Sequence, residues 1–170
     1  MWSRRHIIRG GAIALCGAGL AACGFRPVYQ GGAMAGVAAP LAAIAINEPS
    51  TRLEQAVRNE LVFLFTGGDA PAPARYRMQL GVSSGVSNLV IEQATGRPTA
   101  SSLDLTAVVA VTEIATGAEV LTETFRASAS FEQSTQRFAN ERAKLDAGQR
   151  AARDVAERIR IRTAVALRRR

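Results

Sequence analysis

The side chains best suited to covalent or metal chemistry are few and crowd the start of the chain: one histidine, His6, and two cysteines, Cys16 and Cys23. If the first 22 residues are removed, as argued below, no histidine remains and Cys23 stands first. That excludes His-based acid–base catalysis, Ser-His-Asp and Cys-His nucleophiles, zinc sites built from His or Cys, and an internal disulfide. A carboxylate pair facing across a cleft could still hydrolyse glycans. Glu48, Asp69, Glu92 and Asp104 are scattered over loops and strands without evident pairing. Abundant instead is the guanidinium: 21 basic residues stand against 14 acidic ones, a formal charge of +7, and Lys144 is the only lysine. A guanidinium suits phosphate because it can bond it bidentately. The chemistry expected is non-covalent recognition of an anion and modification of one N-terminal thiol, with no enzyme activity, cofactor or metal.

Residues 1–22 read as an export signal. Arg4, Arg5 and Arg9 make a positive start, and Ile7 to Leu20 supplies a weakly apolar stretch rich in Gly and Ala. Leu20-Ala21-Ala22-Cys23 has the form of a bacterial lipoprotein cleavage site, in which small residues admit the peptidase and the cysteine is acylated. Cys16 competes poorly because the large Leu15 precedes it. Three acyl chains on Cys23 would anchor the protein essentially permanently, since each buried methylene contributes about 0.8 kcal/mol. Gly24, where an aspartate would signal retention, points to the outer membrane. Ser3-Arg4-Arg5-His6-Ile7-Ile8-Arg9 also partly matches a twin-arginine export signal, so the leader is compatible with that route and with general secretion. The longest apolar run, the 15 residues from Gly10 to Gly24, is too short to span a bilayer as a helix.

Removing the leader leaves a net charge of +4, unevenly placed: residues 23–136 carry −3 and residues 137–170 carry +7. A polyanionic partner is compatible with that asymmetry, while the exported location argues against nucleic acid. Residues 23–40 read as a lipidated tether and residues 41–170 as one domain.

Spacing then sets the elements that must position these groups. Leu41 to Ile46 reads as a short strand. Thr51-Arg52-Leu53-Glu54 has the form of a capping box, with Glu54 reaching back toward the Thr51 backbone. Leu53, Val57, Leu61, Leu64 and Phe65 repeat at helical spacing until Gly67-Gly68. Three alternating strands follow, on Tyr76 to Val82, Leu103 to Val111 and Leu121 to Phe131, with Glu123 out of pattern. A longer polar loop is expected between the first two, and a turn at Ala115-Thr116-Gly117 between the last two. Phe138 to Leu167 predicts one long helix with an apolar stripe of Leu145, Ala152, Val155, Ile159 and Ala166. Asp146–Arg150, Arg153–Glu157 and Asp154–Arg158 would pair along it. The order β-α-β-β-β-α implies an α+β two-layer sandwich, a four-stranded mainly antiparallel sheet with two helices on one face.

With this order and the lipidation signal, the chain resembles the LPS-assembly lipoprotein family LptE. The resemblance is carried by Cys23-Gly24-Phe25-Arg26-Pro27-Val28-Tyr29, by Arg52 to Leu61, and by Phe131 through Asn140-Glu141. It implies a non-catalytic outer-membrane lipoprotein on the periplasmic side. Such a protein plugs the β-barrel LptD, helps it assemble, and binds lipopolysaccharide (LPS) on its way to the surface. In a meander, the loop after the second strand and the junction before the last helix share one end. That end gathers Arg97, Arg137 and Arg142, with Arg52 entering the first helix, as candidate contacts for LPS phosphates. Family members can carry a lysine near the start of the last helix, where this chain has Asn140. The alternative is an auxiliary lipoprotein of an ABC-type lipid or solvent transport system, which would copurify with a permease rather than a barrel.

Overall fold

The computed structural model describes residues 35–94 and 96–169, so the leader, Cys23 and the start of the tether lie outside the described residues. The elements run α1 (Ala35–Ala42), β1 (Ile44–Ile46), α2 (Arg52–Thr66), β2 (Tyr76–Glu92), β3 (Arg97–Glu113), β4 (Glu119–Glu132) and α3 (Arg137–Arg168). One sheet has the order β1-β2-β3-β4, with β1 parallel to β2 and the other neighbours antiparallel. The fold is the expected α+β arrangement with a mixed, mostly antiparallel sheet, and α1 is an addition to it. Residues 35–42, read as tether and strand, are helical, and the strand begins at Ile44 rather than Leu41. The run is alanine-rich, which favours helix, and Leu41 at its end is buried in the core.

Alternation decides which face of the sheet is covered. Tyr76, Met78 and Leu80 of β2, the odd positions Leu103 to Val111 of β3, and Phe125 to Phe131 of β4 are buried on one side. Val57, Leu61 and Phe65 of α2 and a row along α3 close over them as one core. Leu61, Met78 and Leu105 are fully buried, each contributing about 1.5–3 kcal/mol by leaving water. Glu123, out of pattern in sequence, pairs with Arg162 of α3 at 2.9 Å.

Helix α2 starts on a reciprocal cap. The Glu54 N–H donates to Thr51 Oγ1 at 3.1 Å. The Glu54 carboxylate mainly serves Ser50, one residue earlier than the sequence implied: it accepts from the Ser50 N–H at 3.0 Å and the Ser50 hydroxyl at 2.6 Å. The side-chain bond from Ser50, reinforced by its N–H, holds the Glu54 carboxyl below its ordinary value against the opposing effect of burial. Gly67 ends the helix in the left-handed conformation (φ 67°), where its N–H reaches the Phe63 carbonyl.

Three expectations are corrected along β2 and α3. The polar loop after the first long strand is instead strand as far as Glu92, because β3 pairs with it along its whole length. The apolar stripe of α3 is not the expected one. Ala152, Val155 and Ile159 are buried as read, but Leu145 is 43% exposed, and Ala147, Gly148, Ala151, Ala156, Thr163 and Ala164 fill the seam. Small residues suit a helix that packs against both the sheet and α2. Asp146–Arg150 and Asp154–Arg158 pair at 2.9 Å, whereas Glu157 bonds Arg160 rather than Arg153.

Candidate functional site

β2 and β3 outrun both β1 and α2, so the sheet projects a distal hairpin whose tip lies beside the start of α3. The hairpin turns at Gly96, in the left-handed conformation (φ 67°), with its N–H on the Glu92 carbonyl at 2.8 Å. On the other side of the tip, the chain leaves β4 with the Gln133 N–H on the Thr99 carbonyl at 2.9 Å. Asn140 then closes the junction, accepting from the Ser134 N–H at 2.8 Å and donating to the Ser134 carbonyl at 2.9 Å. These bonds shape a groove of about 410 Å³ that Arg97 and Arg137 line together, with Glu92, Gln133 and Asn140.

The electrostatics of this groove are uneven. Arg137 is the first residue of a 32-residue helix whose first turn carries no acidic side chain. A helix N-terminus carries partial positive charge, so a cation there is disfavoured and an anion beside it is favoured. Gln136 at the cap position makes no side-chain bond to the helix, which leaves its first N–H groups uncapped by side chain. Apolar surface adjoins the charge: Phe138 is 88% exposed, and Leu89, Val90 and Ile91 are exposed on the hairpin.

A second groove, of about 510 Å³, lies between the N-terminal halves of α2 and α3. Leu53, Leu103 and Leu145 supply apolar lining, Ser84 reaches it from β2, and Arg52, Lys144 and Glu141 are its charged residues. The four sequence candidates therefore separate. Arg97 and Arg137 share the distal groove, Arg52 lines the other one, and Arg142 is exposed and lines neither. Ser84, beside Arg52, is eight residues short of Glu92 at the tip, roughly 26 Å along a strand. Topology alone indicated the shared end; the length of the hairpin separated Arg52 from it.

Sequence reasoning passed over Asn140 as a departure from a basic position, and it is a structural clasp. It also passed over Leu89-Val90-Ile91, three consecutive apolar residues that break the alternation and so could have flagged an exposed tip. Among the described residues, no group of three His, Cys, Asp or Glu is gathered to hold a metal ion.

The chain was compared with known proteins. The sequence model of the family described as Lipopolysaccharide-assembly, LptE, matches residues 41–163. No curated protein sequence matches. Among solved structures, a Caulobacter crescentus protein described as a lipoprotein is similar, with TM-score 0.66 and 24% identity over 80% of this chain and 98% of its own. The rare lipoprotein B of Shewanella oneidensis gives TM-score 0.51 and 16% identity, covering 69% of this chain and 88% of that one. A minor lipoprotein of Acinetobacter baumannii gives TM-score 0.51 and 16% identity, covering 72% and 88%. At these identities the likeness speaks to the fold.

Proposed function

The chain belongs to the lipopolysaccharide-assembly family LptE, whose members are non-catalytic outer-membrane lipoproteins, and on that premise we propose its specific role. It sits within the outer-membrane β-barrel LptD, helps that barrel assemble, and binds LPS during delivery to the cell surface. Acyl chains on Cys23 hold it on the periplasmic side of the membrane. Arg97 and Arg137 bind LPS phosphates, with Arg142 and Arg52 ranked after them because they lie outside the distal groove.

The observation that carries this reading is the distal tip, where two guanidinium groups outnumber the one carboxylate, Glu92, in lining a groove beside exposed Phe138 and Leu89 to Ile91. LPS is an anionic amphiphile, and it needs both surfaces at once. The placement of Arg137 adds support, because a bound phosphate would relieve the unfavourable approach of its charge to the helix N-terminus.

Depletion of the protein in its host, with immunoblotting for the mature, heat-modifiable form of LptD and an affinity pull-down, tests the partner. Loss of mature barrel and copurification of LptD are expected; an unchanged barrel with no LptD recovered overturns the role. Binding of purified LPS should fall about tenfold or more in an Arg97→Ala/Arg137→Ala variant, since hydrogen bonds to charged groups contribute about 1.5–3 kcal/mol. Mass spectrometry of the membrane-extracted protein should find Cys23 acylated.

A further inference from the structure

The two edges of the sheet are guarded differently. Along β4, Glu119, Arg126 and Glu132 are exposed, and Arg150 of α3 donates from Nη2 to the Ser130 carbonyl at 2.8 Å. Charge and a covering side chain are the usual protections of an edge strand. The opposite edge is sealed only at its proximal end. There β1 pairs with Tyr76 to Met78. Asn47 then takes the place of a strand residue: the Leu80 N–H donates to Asn47 Oδ1 at 2.7 Å, and Asn47 Nδ2 donates to the Leu80 carbonyl at 3.1 Å.

Beyond Leu80 the sealing stops while the strand continues. Tyr76 and Leu80 direct their backbone groups to the β1 side, so the alternation directs those of Val82, Ser84, Val86 and Asn88 the same way. No described strand pairs with them on that side. Pairing with β3 is regular up to Asn88, where a bulge interrupts it. No charged residue and no proline occurs between Arg77 and Glu92, and Val86 is 46% exposed on the helix side of the sheet, the side of its register partner Leu103. The groove lined by Leu53, Leu103 and Leu145 lies on that same side and includes Ser84 of this strand.

We infer that Val82–Asn88 is a strand-addition site, which takes an extended, uncharged segment of a partner polypeptide as a fifth strand. Backbone bonds to the open N–H and C=O groups supply affinity, and alternate side chains of the segment turn toward the apolar groove. Arg52 and Lys144, neither in an ion pair among the described residues, outnumber the one carboxylate lining the groove, Glu141, and this excess of positive charge favours an acidic residue flanking that segment. Charge also selects against a second copy of this chain. Two such edges paired antiparallel across a two-fold axis would put both grooves, each with Arg52 and Lys144 against Glu141 alone, on one side of the joined sheet, net positive toward net positive.

The test places a photo-crosslinking residue at Val86 in the full chain, expressed in its host, with the same residue at Ser128 on β4 as comparison. Crosslinked peptides are identified by mass spectrometry. The expected result is one continuous segment of one other protein, uncharged along about seven residues and flanked by an acidic residue, captured at least tenfold more from position 86 than from position 128. A captured segment that is charged throughout overturns the inference. Ser84→Pro, which removes an edge N–H that β3 does not use, should abolish that product at unchanged Tm. Should Ser84→Pro lower Tm, Ser84→Lys decides instead, because it adds charge to the edge and leaves the backbone intact. Crosslinks to a second copy, to the chain itself or to lipid alone overturn the inference, as does a scattered set of segments, an absence of product, or a product that survives Ser84→Lys.

Discussion

The proximal and distal ends of this sheet are made from the same three long strands, yet they differ in almost every physical respect. At the proximal end, β2 lies between β1 and β3 beneath α2, and Tyr76, Met78 and Leu80 are buried against Leu61 and Phe65. At the distal end, β2 is paired on one side only, runs through Ser, Gly and Asn, and exposes every residue from Ser83 to Glu92. The proximal end holds the fold together. At the distal end Leu103 and Phe131 on the neighbouring strands stay buried, but β2 presents surface, and the tip collects the cations and apolar residues to which we assign binding. Burial and display compete for the same side chains, so a domain of this size does better to separate them along its strands than to mix them.

The sharpest way to break that division is to truncate one apolar residue at each end. Leu61→Ala removes a fully buried side chain and should cost about 2–5 kcal/mol in urea unfolding. Val86→Ala, half exposed on the hairpin, should stay within about 0.5 kcal/mol. Comparable losses at the two sites would show that the distal hairpin is part of the stabilising core, and the division would fail.

Next in size is the cap that fixes the start of α2 at the boundary between the two ends. Glu54→Ala leaves the Ser50 N–H and hydroxyl without their acceptor, and should cost about 1–3 kcal/mol. The sign of the pH effect follows from the lowered carboxyl. Above its unfolded value the group is ionised in both states and its full contribution is present. As pH falls through the lower folded value, the proton binds and the contribution is lost. Wild type should therefore lose stability in acid more steeply than Glu54→Gln, and parallel pH profiles by thermal denaturation would rule the cap out as the cause.

The same boundary marks how much could be read from the residues. Strand β3 was legible throughout because Leu103, Leu105, Ala107, Val109 and Val111 alternate without a break, and all five are buried. The distal part of β2 was not, because Ser83, Ser84, Gly85, Ser87 and Asn88 have weak strand preference, and only pairing with β3 makes them a strand. Helix α3 was legible in extent, and in facing at Ala152, Val155 and Ile159 but not at Leu145. A stripe picked by large residues selects Leu145, whereas a helix wedged between a sheet and another helix turns its smallest residues inward. The pairing of Arg97 with Arg137 at one end followed from meander topology, and the separation of Arg52 depended on strand length, which local pattern does not encode.

Within the proximal core one polar group is out of place. Thr163 is fully buried on α3, and its hydroxyl has no hydrogen-bond partner among the described residues. Removing an unpaired buried hydroxyl while keeping the shape should help, so Thr163→Val is expected to stabilise by about 1 kcal/mol, read as a higher urea midpoint at unchanged slope. A loss of stability would mean that the hydroxyl is satisfied in solution and that the core is less dry than the packing implies.

The smallest expected effect on stability is the most informative about the division of labour. Arg97→Ala/Arg137→Ala alters side chains at the exposed tip, far from Leu61 and Met78, and surface changes of this kind usually stay within about 0.5 kcal/mol. Arg137 even stands where the helix dipole disfavours it, so its removal can offset what Arg97 contributes through its own contacts. Urea midpoints should therefore match wild type while LPS binding falls. If the double variant unfolds earlier by 1 kcal/mol or more, as judged against the stability scale of single substitutions, the tip arginines brace the hairpin, and loss of binding could no longer be assigned to lost phosphate contacts. A stable fold with weakened binding would mean that the distal end can be altered for its ligand without cost to the proximal end that carries it.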